Sequence, residues 1–591
     1  MRSAGISRSV VPAQPDRFEC LALCGLFLAA IALALIRPDM TDTPWHLATA
    51  RYAFGQGHWP VCNTFSYTYP NYPLYQQYPI YQTLLYAIYS IGGWVGLSLL
   101  HCALWLCVFI VWIMWAGTFR MKMLNLAWTL GLLALQRRMI LRPDILSMLL
   151  FVFLLYLIDR YRAGRTWVVI LFVFVQWLLV NSHQLFPLGI LIQCALLVHL
   201  VVVRALGGRY SISQHDIGVP VLPVAFSLAS SLLVCFFSPL GTGVVYVISH
   251  TATSLYYHGQ DIQEFKRFYE SGYDSLLVIC ATALAFVGAW RRKEWEPFES
   301  LLWLIGVAVL TAAVRGVTLY VLISVGIFAR NLAHEVQSRA PLLENPGVEL
   351  GRTFFRLFCV MVTLCMCAGI IYVRWVSPQR ILGGTQPGLG RALGDWPYSS
   401  IKFLKQNPPP GRMINLTWYS ANPLILELFP EYRVFVDPRF ESYPRSFLLK
   451  AIEAQRNRAV LQELISEYQP DWMVAEIRDE DSRRQAIALV NLRTWELVHA
   501  DTVFLILVRN VPGNSTYLDK HRLLAEDILP VDFLISEPDL LALQRIRMAE
   551  LFRDFGLNEK AKKMIQAAEP AGRRYPSVKE ALERFRAVQR Y

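Results

Sequence analysis

The sequence predicts an α-helical polytopic membrane protein of about eleven spans, with a soluble C-terminal α/β domain and a helical hairpin tail. Three observations carry that expectation. Hydrophobic residues make up 55% of the 591 positions and charged residues only 17%, a balance in excess of what one soluble core needs. Runs of about 14 to 25 apolar residues recur through the first two thirds of the chain, and a bilayer core takes about 20 residues of helix to cross. Beyond residue 377 the apolar runs shorten and alternate with amphipathic stretches.

The candidate spans run from Cys20 to Ile36, Trp94 to Trp115, Leu124 to Leu135, Ile145 to Ile158, Val168 to Val180, Leu185 to Val203, Val219 to Phe237, Leu276 to Trp290, Leu301 to Ala313, Val317 to Phe328 and Phe354 to Val373. The pairs within 124–158 and 301–328 are short for a full crossing, so each is open to a second reading as a broken or re-entrant pair buried by its neighbours. The first run also has two readings, a cleaved signal peptide or a span continuous with the segment after it; the second is preferred.

A net charge of +12 would suit nucleic acid, but its distribution follows the loop bias of a membrane protein. Arg2, Arg8 and Arg17 precede the first span; Arg120 and Lys122, then Arg160, Arg162 and Arg165, then Arg291, Arg292 and Lys293 follow later ones. All fall on one side if the N-terminus is cytoplasmic. Arg137, Arg138 and Arg142 are the exception. Between Arg37 and Gly93 the only basic residues are Arg37 and Arg51, as expected of a translocated loop. An odd number of spans then places the tail outside the cytoplasm as well. Nucleic acid is not an expected partner; the bilayer is. Of eleven cysteines ten lie in or at apolar spans and Cys62 alone in a loop, so no disulfide framework or metal spacing emerges.

The expected domains are a bundle over 1–376 with a large first external loop at 37–93, an α/β domain over 377–512 and a helical tail over 513–591. The loop is rich in aromatic and turn residues, and Tyr81, Leu84, Leu85 and Ile88 fall at helical spacing. That segment is either a helix at headgroup level or one packed on the bundle. Gly383-Gly384 and Pro387-Gly388 mark a linker. Strand-like runs follow at 413–416, 434–436, 472–474 and 503–508, with helical patterns at 401–405 and 460–468 between them. No glycine-rich phosphate loop is present. Two helical patterns from Glu537 to Ala568 flank Phe555-Gly556-Leu557, a single hairpin of tetratricopeptide kind. Asn415-Leu416-Thr417 and Asn514-Ser515-Thr516 match the N-glycosylation triplet, which chance also produces.

The segment richest in chemistry opens the first external loop: Arg37-Pro38-Asp39-Met40-Thr41-Asp42-Thr43-Pro44-Trp45-His46-Leu47. Two carboxylates and an imidazole sit within a few residues of a span end, where a carboxylate can take a proton from a hydroxyl or hold a divalent cation. The aspartates are equally suited to cap the helix that begins at Thr43. The predicted topology brings other polar groups to the same side: Arg142 and Asp144, Asn181 to Gln184 with His183, Asp261 to Tyr269 with Glu264, and Arg315. Ionisable groups near membrane depth are expensive, so their gathering points to function. Singly, each has a structural role open to it: His183 bonding a neighbouring helix, Arg142 pairing with Asp144, Arg315 snorkelling to the interface.

The order Asp42-x-x-Trp45-His46-Leu47-Ala48-Thr49, then Gly57-His58-Trp59-Pro60 and Phe65-Ser66-Tyr67-Thr68, resembles a bacterial group of multispanning proteins in the GT-C glycosyltransferase superfamily. Arg142-Pro143, Asn181-Ser182-His183 and Ser238-Pro239-Leu240-Gly241 are similar to further marks of that group. So is Phe435-Val436-Asp437-Pro438-Arg439-Phe440-Glu441-Ser442-Tyr443 in the tail. The sequence departs from it at Pro44, Ala50 and Gln184, which bear on local geometry.

The resemblance implies a transferase that moves a sugar from a polyprenyl phosphate carrier to an acceptor on the outer side. By that analogy Asp42 is the base and Asp39 assists it or binds a cation, the only metal ligands suggested. Trp45, His46, Arg142, His183, Glu264 and Arg315 are the substrate-binding candidates, the cations among them for the departing phosphate. Two non-enzymatic readings stand beside it. A lipid or solute transporter is suggested by the short spans, against which no internal repeat is visible. An assembly factor recruiting partners through its tail is suggested by the helical hairpin.

Overall fold

In the computed structural model, residues 17–116, 125–206, 216–249, 281–283, 296–339, 346–376, 385–529, 535 and 537–588 are described. Four helical stretches among them are long and apolar enough to cross a membrane: Pro79–Trp115, Pro187–Leu206, Val314–Asn331 and Thr353–Val376. Shorter apolar helices cover Cys20–Ala34, Asn125–Leu135, Thr166–Val180, Leu222–Val234 and Pro297–Ala312. Most of the span expected from Leu276 to Trp290 lies outside the described residues.

Helix α1 (Arg17–Ala34) packs along the helix Pro346–Ile371 and against α3 (Pro79–Trp115). Gly25 faces Leu364, where a Cβ would come within 3.0 Å, so the absence of a side chain lets the two helices approach. The bundle core centres on Trp112 and Trp128, whose rings meet edge to face at 4.6 Å. The Trp112 indole N–H, buried in apolar surroundings, donates to the Leu322 carbonyl at 2.7 Å. α4 (Asn125–Leu135) reaches α5 (Asp144–Arg162) through a 3₁₀ turn and the loop that carries Arg142. α6 (Val169–Val180), α7 (Pro187–Leu206) and α8 (Leu222–Val234) follow.

α3 is two helices joined at a kink. Gly93 sits at φ 54° and ψ −146°, a conformation open to glycine alone, and breaks the aromatic segment that begins at Pro79 from the apolar span after it. Ahead of it, α2 (Thr43–Gln56) starts with Pro44 in its first turn and ends at Gly57 in the left-handed region.

The soluble part holds a four-stranded sheet in the order β1-β2-β4-β3, with β1 (Met413–Asn415) parallel to β2 (Trp472–Glu476), and β4 (Phe504–Arg509) antiparallel to both β2 and β3 (Trp495–Ala500). Side chains alternate across a sheet, and here both faces are covered. Ile414, Met473, Ala475, Leu505 and Leu507 pack with Ile546, Ala549 and Phe552 of the helical tail. Met413, Trp472, Val474, Phe504 and Ile506 share a core with Leu47, Ala48 and Phe65 of the first loop and Tyr81 and Leu85 of α3. The sheet therefore rests on the first loop, 37–93.

Two expectations change. The run Val434–Val436 does not join the sheet; it pairs with the first loop, Ser66 bridging Val434. Pro387-Gly388 is no free linker, because Arg37 N–H donates to Gln386 and Gly388 N–H to Leu35, clamping the segment to the exit of α1. Neither glycosylation triplet offers a free amide: Asn415 Nδ2 donates to the Thr417 and Val436 carbonyls, and Asn514 Nδ2 to that of Arg509. The tail has helices at Pro538–Asp554, Asn558–Gly572 and Pro576–Val588.

Candidate functional site

The start of α2 places Asp39 and Asp42 in different environments. Asp39 Oδ1 accepts from the Thr41 amide at 3.0 Å and the Thr41 hydroxyl at 2.6 Å, closing a local turn. Asp42 holds the N-cap position of α2, yet its side chain makes no capping bond. It pairs instead with Arg142, Oδ2 to Nε at 3.0 Å, across from the α4–α5 loop. Arg142 thus does not pair with Asp144, which takes Arg138 at 3.3 Å. Two of the basic residues that broke the charge bias are thereby given partners.

His46 is buried one turn into α2. Gln82 accepts from Gln76 through its oxygen, so its Nε2 is left to donate to His46 Nδ1 at 3.0 Å. The imidazole proton then sits on Nε2. Burial pushes the His46 pKa well below its usual range, and the nearby His183 and Arg142 add to it, so this ring stays neutral. Trp45 stacks on it, with ring centroids 3.6 Å apart, and is itself only 8% exposed. This leaves Trp45 little open face for a sugar. Its indole N–H, however, is buried with no hydrogen-bond partner among the described residues.

His183 joins the group from the turn between α6 and α7. Its Nδ1 accepts from the Leu185 amide at 3.3 Å, a local bond and not one to a neighbouring helix. Burial pushes its pKa down to about 4; Arg315 and Arg138 act in the same direction and Asp144 against. Tyr78 lies between the two histidines, its ring 5.2 Å from that of His46 and 5.9 Å from that of His183. Arg315 is half-buried in the 3₁₀ turn Val314–Gly316, and its charge acts on both Tyr78 and His183. Asp42, Trp45, His46, Arg142, His183 and Arg315 thus occupy one region, and Asp39 lies beside it. Glu264 lies outside the described residues.

The soluble domain closes over this region. Asn422 Nδ2 donates to the Met40 carbonyl at 2.9 Å, and Arg51 reaches the Leu426 carbonyl. Asp437 and Arg439, both fully buried, form a two-pronged pair at 2.9 and 2.7 Å. Arg439 also donates to Asn63 Oδ1 at 2.8 Å and lies over the Phe65 ring, while Tyr443 donates to Asp437 at 2.8 Å. These bonds pin the turn Phe440–Ser442 against the first loop and bring Glu441 within electrostatic range of Asp42 and Tyr78. Tyr78 and Glu441 were not singled out from the sequence. Glu441 lay within a motif that was noticed, but nothing local says which way it faces.

A divalent cation is a poor fit to Asp39 and Asp42, since one is engaged by Thr41 and the other by a guanidinium. The cluster with metal-ligand chemistry lies elsewhere: ligand atoms of His199, Asp216 and Glu296 fall within 4.8 Å of one another. There Arg162 bonds both Asp216 and, at 2.6 Å, Glu296. His199 Nε2 meets Asp216 at 2.9 Å, while its Nδ1 accepts from the Phe298 amide at 3.2 Å. The guanidinium already supplies the positive charge that a cation would, and the ring has no free nitrogen. This is a lock between α5, α7 and the helix Pro297–Ala312, and Arg162 is part of it and not a free loop charge.

No family model matches the chain, and no curated protein matches it. Among solved structures it is similar to the Archaeoglobus fulgidus oligosaccharyltransferase in the apo form, at 12% identity over 79% of this chain and 71% of that one, with a TM-score of 0.48. It is similar also to ArnT from Cupriavidus metallidurans bound to undecaprenyl phosphate, at 14% identity over 84% of this chain and 98% of that one, TM-score 0.48. The apo state of the same protein gives 14%, 84%, 97% and 0.45. Likeness at this level assigns neither residue roles nor a substrate.

Proposed function

We propose that this chain is a membrane glycosyltransferase that moves a sugar from a polyprenyl phosphate carrier to an acceptor on the extracytoplasmic side. The observation that carries the reading is the Asp42–Arg142 pair, set beside two buried histidines and the orphaned Trp45 N–H. A guanidinium beside a carboxylate favours its charged form, the form a base must have. Activated nucleotide sugars are cytoplasmic, so transfer outside calls for a donor carried by lipid, and a polar site at the end of an apolar bundle suits such a donor.

Asp42 takes the proton of an acceptor hydroxyl as that oxygen bonds to the anomeric carbon. The bond from that carbon to the phosphate oxygen breaks, and its electron pair leaves with the carrier phosphate. Arg142, Arg315 and the Trp45 N–H are the groups suited to meet the negative charge that develops there. No step uses a metal. The test is turnover by the purified full chain in lipid, offered a panel of polyprenyl phosphate sugars with glycan and protein acceptors. Transfer by the parent and a loss of about a hundredfold or more in Asp42→Asn are expected. Parent-like transfer by that variant would remove Asp42 as the base, and no consumption of any carrier-linked sugar would sink the enzyme.

A further inference from the structure

The roof of the site carries side chains for which the transfer reaction as drawn has no use. Thr417, buried and bonded to Glu476 of β2, and Asn422, bonded to Met40 of the first loop, fix the two ends of the segment between them. Within that segment Trp418 and Tyr419 remain half-exposed. Phe440 and Glu441 project from the neighbouring pinned turn, also half-exposed, between the fully buried Arg439 and Ser442. The rings of Trp418 and Phe440 meet edge to face at 5.1 Å. A stable domain has no need to leave two such rings partly open beside an acid, when the residues on either side are buried.

Glu441 differs from every other carboxylate in the region. Asp42 is paired with Arg142, Asp144 with Arg138, Asp437 with Arg439, and Asp39 closes its own turn. Among the described residues Glu441 has no ion-pair partner. Its charge is nonetheless felt by Tyr78 of the first loop and Tyr246 of the helix at 243–249, and it feels that of Asp42. Groups from three parts of the chain thus interact electrostatically with one carboxylate that no ion pair engages among the described residues. Burial raises its pKa, with Asp437 and Asp42 adding and Arg439 opposing, which is the state of an acid turned inward to a partly dry site.

We propose that Trp418, Phe440 and Glu441 form the acceptor subsite, and that the acceptor is a carbohydrate. A pyranose presents C–H groups that pack on an aromatic face and hydroxyls that donate to a carboxylate, and this patch offers both within one turn. A peptide acceptor would call for backbone partners or a cation, and a purely lipid acceptor has no use for Glu441. The subsite deepens the glycosyltransferase reading, on which its role in turnover rests, but its binding chemistry can be tested separately.

The experiment titrates the full-length protein in lipid nanodiscs with maltotetraose, chitotetraose, mannotetraose and a serine- and threonine-rich nonapeptide, following tryptophan fluorescence and ligand-detected NMR. A polyprenyl phosphate is titrated in parallel. The parent is expected to bind at least one of the saccharides, and Glu441→Gln and Phe440→Leu each to weaken that binding by about tenfold or more. Affinity for the polyprenyl phosphate is expected to stay unchanged in both. Where Glu441→Gln lowers the melting temperature, Glu441→Asp, which keeps the charge and shortens its reach, is expected to fall between it and the parent. Binding of the peptide alone, binding of none of the four, or parent-like saccharide binding by both Glu441 variants would overturn the assignment. The two readings separate: saccharide binding without consumption of any carrier-linked sugar defeats the transferase and keeps the subsite, whereas transfer to peptide alone does the reverse.

Discussion

Replacing Arg439 with methionine keeps most of the aliphatic stem and removes the guanidinium that joins the soluble domain to the first loop. Three bonds go at once: two to Asp437, and one of 2.8 Å to Asn63. Asp437 is then left buried with the Tyr443 hydroxyl and a backbone amide but no counter-charge. Breaking one side of a buried pair costs about 3–5 kcal/mol. The cation's contact with Phe65, at 4.6 Å, is lost as well. The loop meets the domain through two amides, Tyr67 N–H donating to Val434 and Val434 N–H to Phe65, so these report its undocking. Native-state hydrogen exchange at both should accelerate by about two to three and a half decades, at 1.4 kcal/mol per decade. Tyr443→Phe, which removes a single bond to the carboxylate, should accelerate them by about one to two decades. If Arg439→Met left both amides near the parent rate, the dock would be held by the remaining contacts and not by the Arg439 pair. If every strand amide of the domain sped up equally, Arg439 would stabilise the domain and not its attachment.

The buried histidines set a pH dependence. His183 has a folded pKa of about 4 against 6.5 when free, so the unfolded chain binds the extra proton between those values. Stability therefore falls as pH drops through that window, by about 1.4 kcal/mol per unit for this group, and His46 acts in the same sense. His183→Asn should lose less melting temperature between pH 7.5 and 5 than the parent does; equal losses would mean that the ring is solvated. At the opposite end of the bundle, Asp216→Asn strips Arg162 of one charge partner and His199 of its anion, and should destabilise by about 3–5 kcal/mol in a thermal melt. A chelator should leave the parent's melt where it is, and a fall of several degrees would show that a cation and not Arg162 organises that cluster.

Much of the site was legible because its residues are adjacent in sequence. Asp39, Asp42, Trp45 and His46 are gathered by one helix start, whatever the rest of the chain does. Arg142, His183 and Arg315 were legible more weakly, through the rule that charge near a bilayer gathers where it is useful. Their pairing was not. Local logic joined Arg142 to Asp144 two residues on, whereas the fold turns it to Asp42 and supplies Arg138 in its place. The stretch 434–436 read as a strand because β-branched and aromatic residues fit any pleated surface, and the surface it found was the first loop.

By itself the sequence determined which part of the chain would form long apolar helices, because apolar run length and charge content are properties of the chain and need no partner to be read. It determined too where α2 starts, since proline acts through its own backbone. Only the tertiary structure decided that the sheet's second face would be covered by the first loop, and that Arg162 would close an ion lock. Only there, too, did Glu441 come within electrostatic range of Asp42, some four hundred positions away in the chain. Such contacts depend on which surfaces meet, and surfaces meet through the packing of whole elements, which no window of neighbouring residues contains.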